Sequence, residues 1–128
     1  MKKTLIICLL STCIFTGAWA QSQNYATVIL YRPGNFVAAL VSYGIDTAAK
    51  AEVYKAKNNS KAEVKVYHEG DVTFFSDTRS KAYATVDVKF GKTYYIRCDE
   101  LYSEFGKNPK MQVVPEALAK KDADKIKE

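Results

Sequence analysis

Beyond residues 1–20, two side chains have the types for covalent chemistry near neutral pH: the thiol of Cys98 and the imidazole of His68, the one histidine of the chain. A thiol attacks as its thiolate, which needs an accessible, electropositive setting. A histidine acts as a base only within hydrogen-bond reach of the proton it removes. Cys98 closes the stretch TYYIRC (93–98). Strand alternation there places it in register with Tyr94 and Ile96 and sets Thr93, Tyr95 and Arg97 on the opposite face. Ile96 is the only aliphatic residue of the stretch, so its face is the one to bury. Cysteine on such a face behaves as a small hydrophobe. Arg97 points away from it, and Asp99 and Glu100 follow, so nothing local favours the thiolate. Cys98 therefore reads as core, ahead of half a disulfide or a nucleophile. His68 follows Val64 and Val66 at a strand end beside the Glu69-Gly70 turn, where a histidine is ordinarily plain surface.

Other chemistries lack their parts. No G-x-S-x-G elbow presents a serine. Zinc needs three or four ligands, which one histidine and one cysteine do not supply. Asp99, Glu100 and Glu104 offer oxygens to a hard cation, but in no loop spacing. The six glycines stand singly in turns instead of forming a phosphate-cradling loop. These absences predict no catalytic residue, no cofactor, no metal and no enzyme. The competing reading is a small envelope hydrolase in which His68 serves a serine or Cys98.

Tyrosine is the one abundance, nine residues. A half-buried pleated surface favours tyrosine for its own sake. Binding is the alternative use. Alternation sets Tyr67, Tyr83 and Tyr95 on outward faces together with Lys65, Lys89 and Arg97. If their strands share a sheet, rings and cations line one surface fit for a glycan, an acidic envelope polymer or a partner protein.

The elements that must position these groups begin after a leader. Lys2 and Lys3, the apolar run from Leu5 to Leu10 extended by Ile14 and Phe15, and Ala18-Trp19-Ala20 form the ordered parts of a secretory signal peptide. Residues 1–20 are therefore expected to leave by cleavage between Ala20 and Gln21, with no transmembrane segment afterwards. The predicted destination is the periplasm or the medium. The minor alternative is an outer-membrane lipoprotein cut before Cys13, although Thr12 suits that cut poorly and Ile14 and Phe15 continue the apolar run. Cys8 and Cys13 go with the signal, so no disulfide framework is expected. The remaining charge is mildly basic with no run of cations, which argues against a nucleic-acid partner.

Residues 21–24 read as a short lead and 25–114 as one all-β domain. KAEVKVYHE (61–69) places Ala62, Val64 and Val66 on one face. AYATVDVKF (82–90) does the same with Ala82, Ala84, Val86, Val88 and Phe90. Less regular strands are expected at 25–31, 38–46, 51–57, 72–77, 93–98 and 111–114. Turns fall at Arg32-Pro33-Gly34-Asn35, Asn58-Asn59-Ser60, Glu69-Gly70-Asp71 and Gly91-Lys92. Seven to eight short strands at this spacing predict an antiparallel β-sandwich. Residues 115–128 change character: Pro115 opens a charged helix or tail in which Leu118, Asp122 and Ile126 lie four apart. Asp122 interrupts that stripe, so a short, poorly docked helix or a frayed end is expected.

Two stretches, ATVILYRPGNF (26–36) and FGKTYYIRC (90–98), carry a resemblance over residues 25–114. The chain resembles the family of small exported bacterial proteins catalogued as domain of unknown function 2846, whose members begin with a strand running into Tyr-Arg-Pro and carry a later glycine-led strand. Asp46-Thr47 and Glu69-Gly70 stand where relatives often have Asp-Gly and Pro-Gly. The resemblance implies a sandwich related to transthyretin-like and PEGA-type domains, and it brings no catalytic residue. The expected function is a non-enzymatic binding or structural module of the bacterial cell envelope, with an envelope protein or glycan as partner.

Overall fold

A computed structural model describes residues 24–34, 39–101 and 108–124. The expected signal, Cys13, the expected cleavage position Ala20-Gln21, Glu104 and Ile126 lie outside them. Eight strands run in chain order: β1 (Ala26–Arg32), β2 (Tyr43–Thr47), β3 (Tyr54–Ala56), β4 (Ser60–Val66), β5 (Gly70–Ser76), β6 (Tyr83–Val88), β7 (Thr93–Leu101) and β8 (Asn108–Val114). One helix among the described residues, α1 (Glu116–Ala123), follows. The all-β class and the strand number agree with the sequence pattern.

The strands divide into two four-stranded sheets, β4-β1-β7-β8 and β3-β2-β5-β6. All neighbours are antiparallel except β1 and β7, which run parallel with Thr27 opposite Thr93. The sheets stack face to face, with β6 against β8 at one side and β3 against β1 and β4 at the other. Their inner faces form one core from Val28, Leu30, Tyr43, Ile45, Phe74, Val86, Val88, Ile96 and Cys98 among others. The alternation read from 61–69 and 82–90 is the alternation of burial along β4 and β6. Four of the described residues have backbone of left-handed sign: Glu52 at φ 47, Asn59 at φ 58, Gly70 at φ 110 and Gly91 at φ 79. Asparagine and glycine are the residues that adopt it most cheaply.

Two expectations change. Of the described part of 38–46 only Tyr43–Asp46 lies in a strand, β2, which runs on to Thr47, and of 51–57 only Tyr54–Ala56 does. A loop from Ala48 to Val53 takes the intervening residues. The helix is not poorly docked. Ala119 is buried on the outer face of the first sheet beside Tyr31 and Val114, with Tyr95 and Leu118 around them. The residue that interrupts the apolar stripe is the anchor: Asp122, 2% exposed, accepts hydrogen bonds from the Tyr31 hydroxyl at 2.8 Å and the Arg97 guanidinium at 3.0 Å. Asp122 breaks the apolar stripe because its partners, Tyr31 and Arg97, wait on the sheet and not on the helix.

Candidate functional site

The Tyr-Arg-Pro motif that ends β1 is a structural joint. Tyr31 turns outward to α1, and Arg32 turns inward at 1% exposure. The Arg32 guanidinium donates to the carbonyls of Val41 and, at 2.8 Å, of Ala56. It thus ties the end of β1 to the chain entering β2 and to β3 of the facing sheet. A buried cation survives only when its donors find acceptors, and backbone carbonyls supply them here.

Cys98 lies where its phase puts it, fully buried between the sheets. Burial, and after it the charge of Asp99, push its thiol well above the ordinary thiol range. A neutral, inaccessible thiol is the opposite of a nucleophile. His68 is exposed beyond the end of β4 and has no hydrogen-bond or ion-pair partner among the described residues.

The six outward residues do not form one surface. Lys65 and Tyr67 belong to the β4 end of the first sheet, whereas Tyr83 and Lys89 belong to β6 of the second and its exit. Tyr95 and Arg97 share a sheet with Lys65, but β1 intervenes and α1 covers them. Arg97 is bound to Asp99 at 2.9 Å and to Asp122. Alternation fixes the face a residue takes on its own strand. It says nothing of which sheet that strand joins, and the proposed common surface fails for that reason. What remains is local: Lys65 Nζ stands 4.9 Å from the centre of the Tyr25 ring, which lies 6.0 Å from that of Tyr67. In the second sheet, Phe75 and Tyr83 are 6.4 Å apart with Lys81 over Phe75 at 5.1 Å.

Beside Lys65 and Tyr67 the sandwich opens. Between β4 and the start of β5 lies a cleft of about 510 Å³, floored by Val53, Val64, Val66, Val72 and Phe74. Lys50, Lys65, Tyr67, His68 and Asp71 also line it. Its cause is topological. β2 pairs with β5 only from Phe74 to Ser76, so Asp71–Thr73 have no strand partner on that side among the described residues. The chain leaving β2 instead folds into the 48–53 loop. A Thr47–Lys50 turn holds this loop, together with hydrogen bonds from the Glu52 amide to Asp46 at 2.7 Å and from the Val53 amide to Ile45 at 2.8 Å. Val53, Val64 and Val72 are consequently only half-buried.

This arrangement can hold an apolar group with its polar end at the mouth. Drug-sized ligands use pockets of ~300–1,000 Å³ with apolar walls and a few placed polar groups. No serine or cysteine is among the described residues that line it, so His68 has no such nucleophile inside the cleft. Sequence reasoning found Lys65, Tyr67 and His68 but missed the cleft. The apolar phase of Val64 and Val66 was visible, yet β4 and β5 fall in different sheets, and no local pattern states that.

No protein-family model matches the chain, and no curated protein matches it. Among solved structures, the N-terminal domain of AlgF from P. aeruginosa is similar at 15% identity and a TM-score of 0.39. The match covers 73% of this chain and 96% of that one. A likeness this distant transfers neither function nor residues.

Proposed function

We propose that the chain is an exported, non-catalytic binding module of the bacterial cell envelope, a member of the family it resembles, and that it binds in the cleft between β4 and β5. The observation that carries this reading is an open volume of about 510 Å³ on an apolar floor. Export rests on the ordered signal in residues 1–20. A non-catalytic role is supported by the burial of Cys98 and by the lack of any polar partner for His68 among the described residues. The ligand this cleft suits is an acyl chain or an apolar side chain, with an anionic end near Lys50, Lys65 and His68. Glycan binding is a second reading, favoured by the Phe75–Tyr83 pair and Lys81 on the outer face of the second sheet.

The test is binding of a fluorescent fatty acid to the exported protein and to two variants. Val72→Glu places a charge on the cleft floor and should weaken binding at least ~10-fold, as burial of an unpaired carboxylate against an apolar ligand requires. Tyr83→Ser, which touches the cleft-lining Phe75 but does not itself line the cleft, should bind within about twofold of the parent. Equal binding by parent and a folded Val72→Glu would end the cleft reading. Loss with Tyr83→Ser alone would favour the second sheet.

A further inference from the structure

We propose that two copies of this chain pair through β4, edge to edge and antiparallel, with Val64 opposite Val64 of the partner subunit. The proposal does not depend on what the cleft binds. β4 is the terminal strand of its sheet, seven residues long, and among the described residues it pairs only with β1. A long unpaired edge presents a row of backbone donors and acceptors that another strand satisfies. Natural sheets guard such edges with lysine, and Lys61 and Lys65 could do no more than that.

Glu63 between them changes the meaning of the row. Lys61, Glu63 and Lys65 all face outward on β4, and their spacing discriminates among registers. Antiparallel pairing centred on residue 63 sets lysine against lysine and glutamate against glutamate. In-register parallel pairing does the same. Antiparallel pairing centred on residue 64 sets each Glu63 against Lys65 of the partner subunit and each Lys61 against Tyr67 of the partner subunit. The inner row then matches as well: Ala62 meets Val66, and the half-buried Val64 meets its own copy. Centring on residue 62 also pairs Lys61 with Glu63, but it spends the inner row on Ala62 against itself and Ser60 against Val64. The register at 64 buries more apolar surface while keeping both charge pairs. Such a contact is self-complementary, as a two-fold dimer demands. It joins the two four-stranded sheets into one of eight strands and brings Val64 of the partner subunit beside the cleft mouth.

Sedimentation equilibrium of the exported protein over a wide concentration range tests this. A monomer–dimer equilibrium is expected. Glu63→Lys and Lys65→Glu each place like charges opposite at two symmetric positions and should weaken dimerisation ~10-fold or more, given cross-strand charge pairs of ordinary strength. The double variant Glu63→Lys/Lys65→Glu restores opposite signs and should dimerise like the parent. Register is read separately by oxidation. Residues directly opposite lie ~4.5–5.5 Å apart at Cα, within disulfide reach. Val64→Cys should cross-link into a covalent dimer, and Ala62→Cys should not. A parent that stays monomeric up to its solubility limit overturns the proposal. So does a dimer indifferent to the single charge reversals, or cross-linking through Ala62→Cys instead of Val64→Cys.

Discussion

Cys98 shows how a single residue can be read from phase and then checked by environment. It is buried completely, its thiol sits well above the ordinary range because of burial and then Asp99, and it carries only a long contact from Sγ to the Ile96 carbonyl at 3.9 Å. A thiol reagent should therefore fail to label native protein at neutral pH and label it quickly in denaturant. Cys98→Ala removes one buried atom and should cost about 1–2 kcal/mol. Fast labelling of the folded state would contradict the geometry. Arg32 teaches the converse. Its Tyr-Arg-Pro setting was visible as a motif, but nothing local announced that the guanidinium would turn into the core. The carbonyls it meets come from Val41 and Ala56, which only the fold brings near.

At the scale of elements, α1 has eight residues, no side-chain cap at Pro115 and an exposed Glu116–Lys120 pair at 3.1 Å. A helix that short is marginal in water, and surface pairs add little. Docking must hold it, and Asp122 is the point of docking. Asp122→Ala leaves the Tyr31 hydroxyl without its acceptor and Arg97 with Asp99 alone. We expect a loss of roughly 1–3 kcal/mol, the usual cost of orphaning buried donors. Hydrogen exchange should show the amides of α1 losing protection while those of β6 keep theirs. Uniform loss across both would mean that the helix is not a separable element. Strand existence was legible throughout, because β4, β6 and β7 each carry a clean period of two. Strand ends were less so: β7 runs to Leu101 and β8 starts at Asn108, past the apolar runs that announced them. Backbone pairing between β7 and β8 extends both strands there, and side-chain pattern does not record backbone pairing.

For the whole molecule, three tyrosines spread over both sheets make stability depend on pH from the alkaline side. Burial raises Tyr31, Tyr43 and Tyr54 above the ordinary 10.0, Tyr54 to about 12. The Asp122 carboxylate adds to the rise at Tyr31, and the Ser60 hydroxyl opposes it at Tyr54. The folded chain keeps these protons where the unfolded chain has lost them. Their contribution is therefore fully present below pH 10 and fades as pH climbs through the folded values. Unfolding free energy should fall steadily above pH 10, with tyrosinate absorbance of these three appearing only as circular dichroism is lost. Tyr54→Phe and Tyr31→Phe should each flatten the fall. Ordinary titration of all nine tyrosines in a still-folded protein would refute this. The class of the fold was legible because it follows from local period and turn chemistry. The cleft was not, because it arises where β2 lets go of β5 and where β4 and β5 part into different sheets.

The parallel pairing of β1 with β7 bears on when the protein can fold at all. In the exported chain proposed above, β1 is the first of the described strands to leave the translocation channel, yet its place is interior, flanked by β4 and by a strand near the far end of the chain. Until β7 emerges, β1 has only one edge covered, and the first sheet cannot close over Val28 and Leu30. Such distant pairing makes folding slow and postpones commitment. If the chain is exported as proposed, it thus remains loose enough to be threaded, and gains its rigidity on the side of the membrane where its last strands arrive.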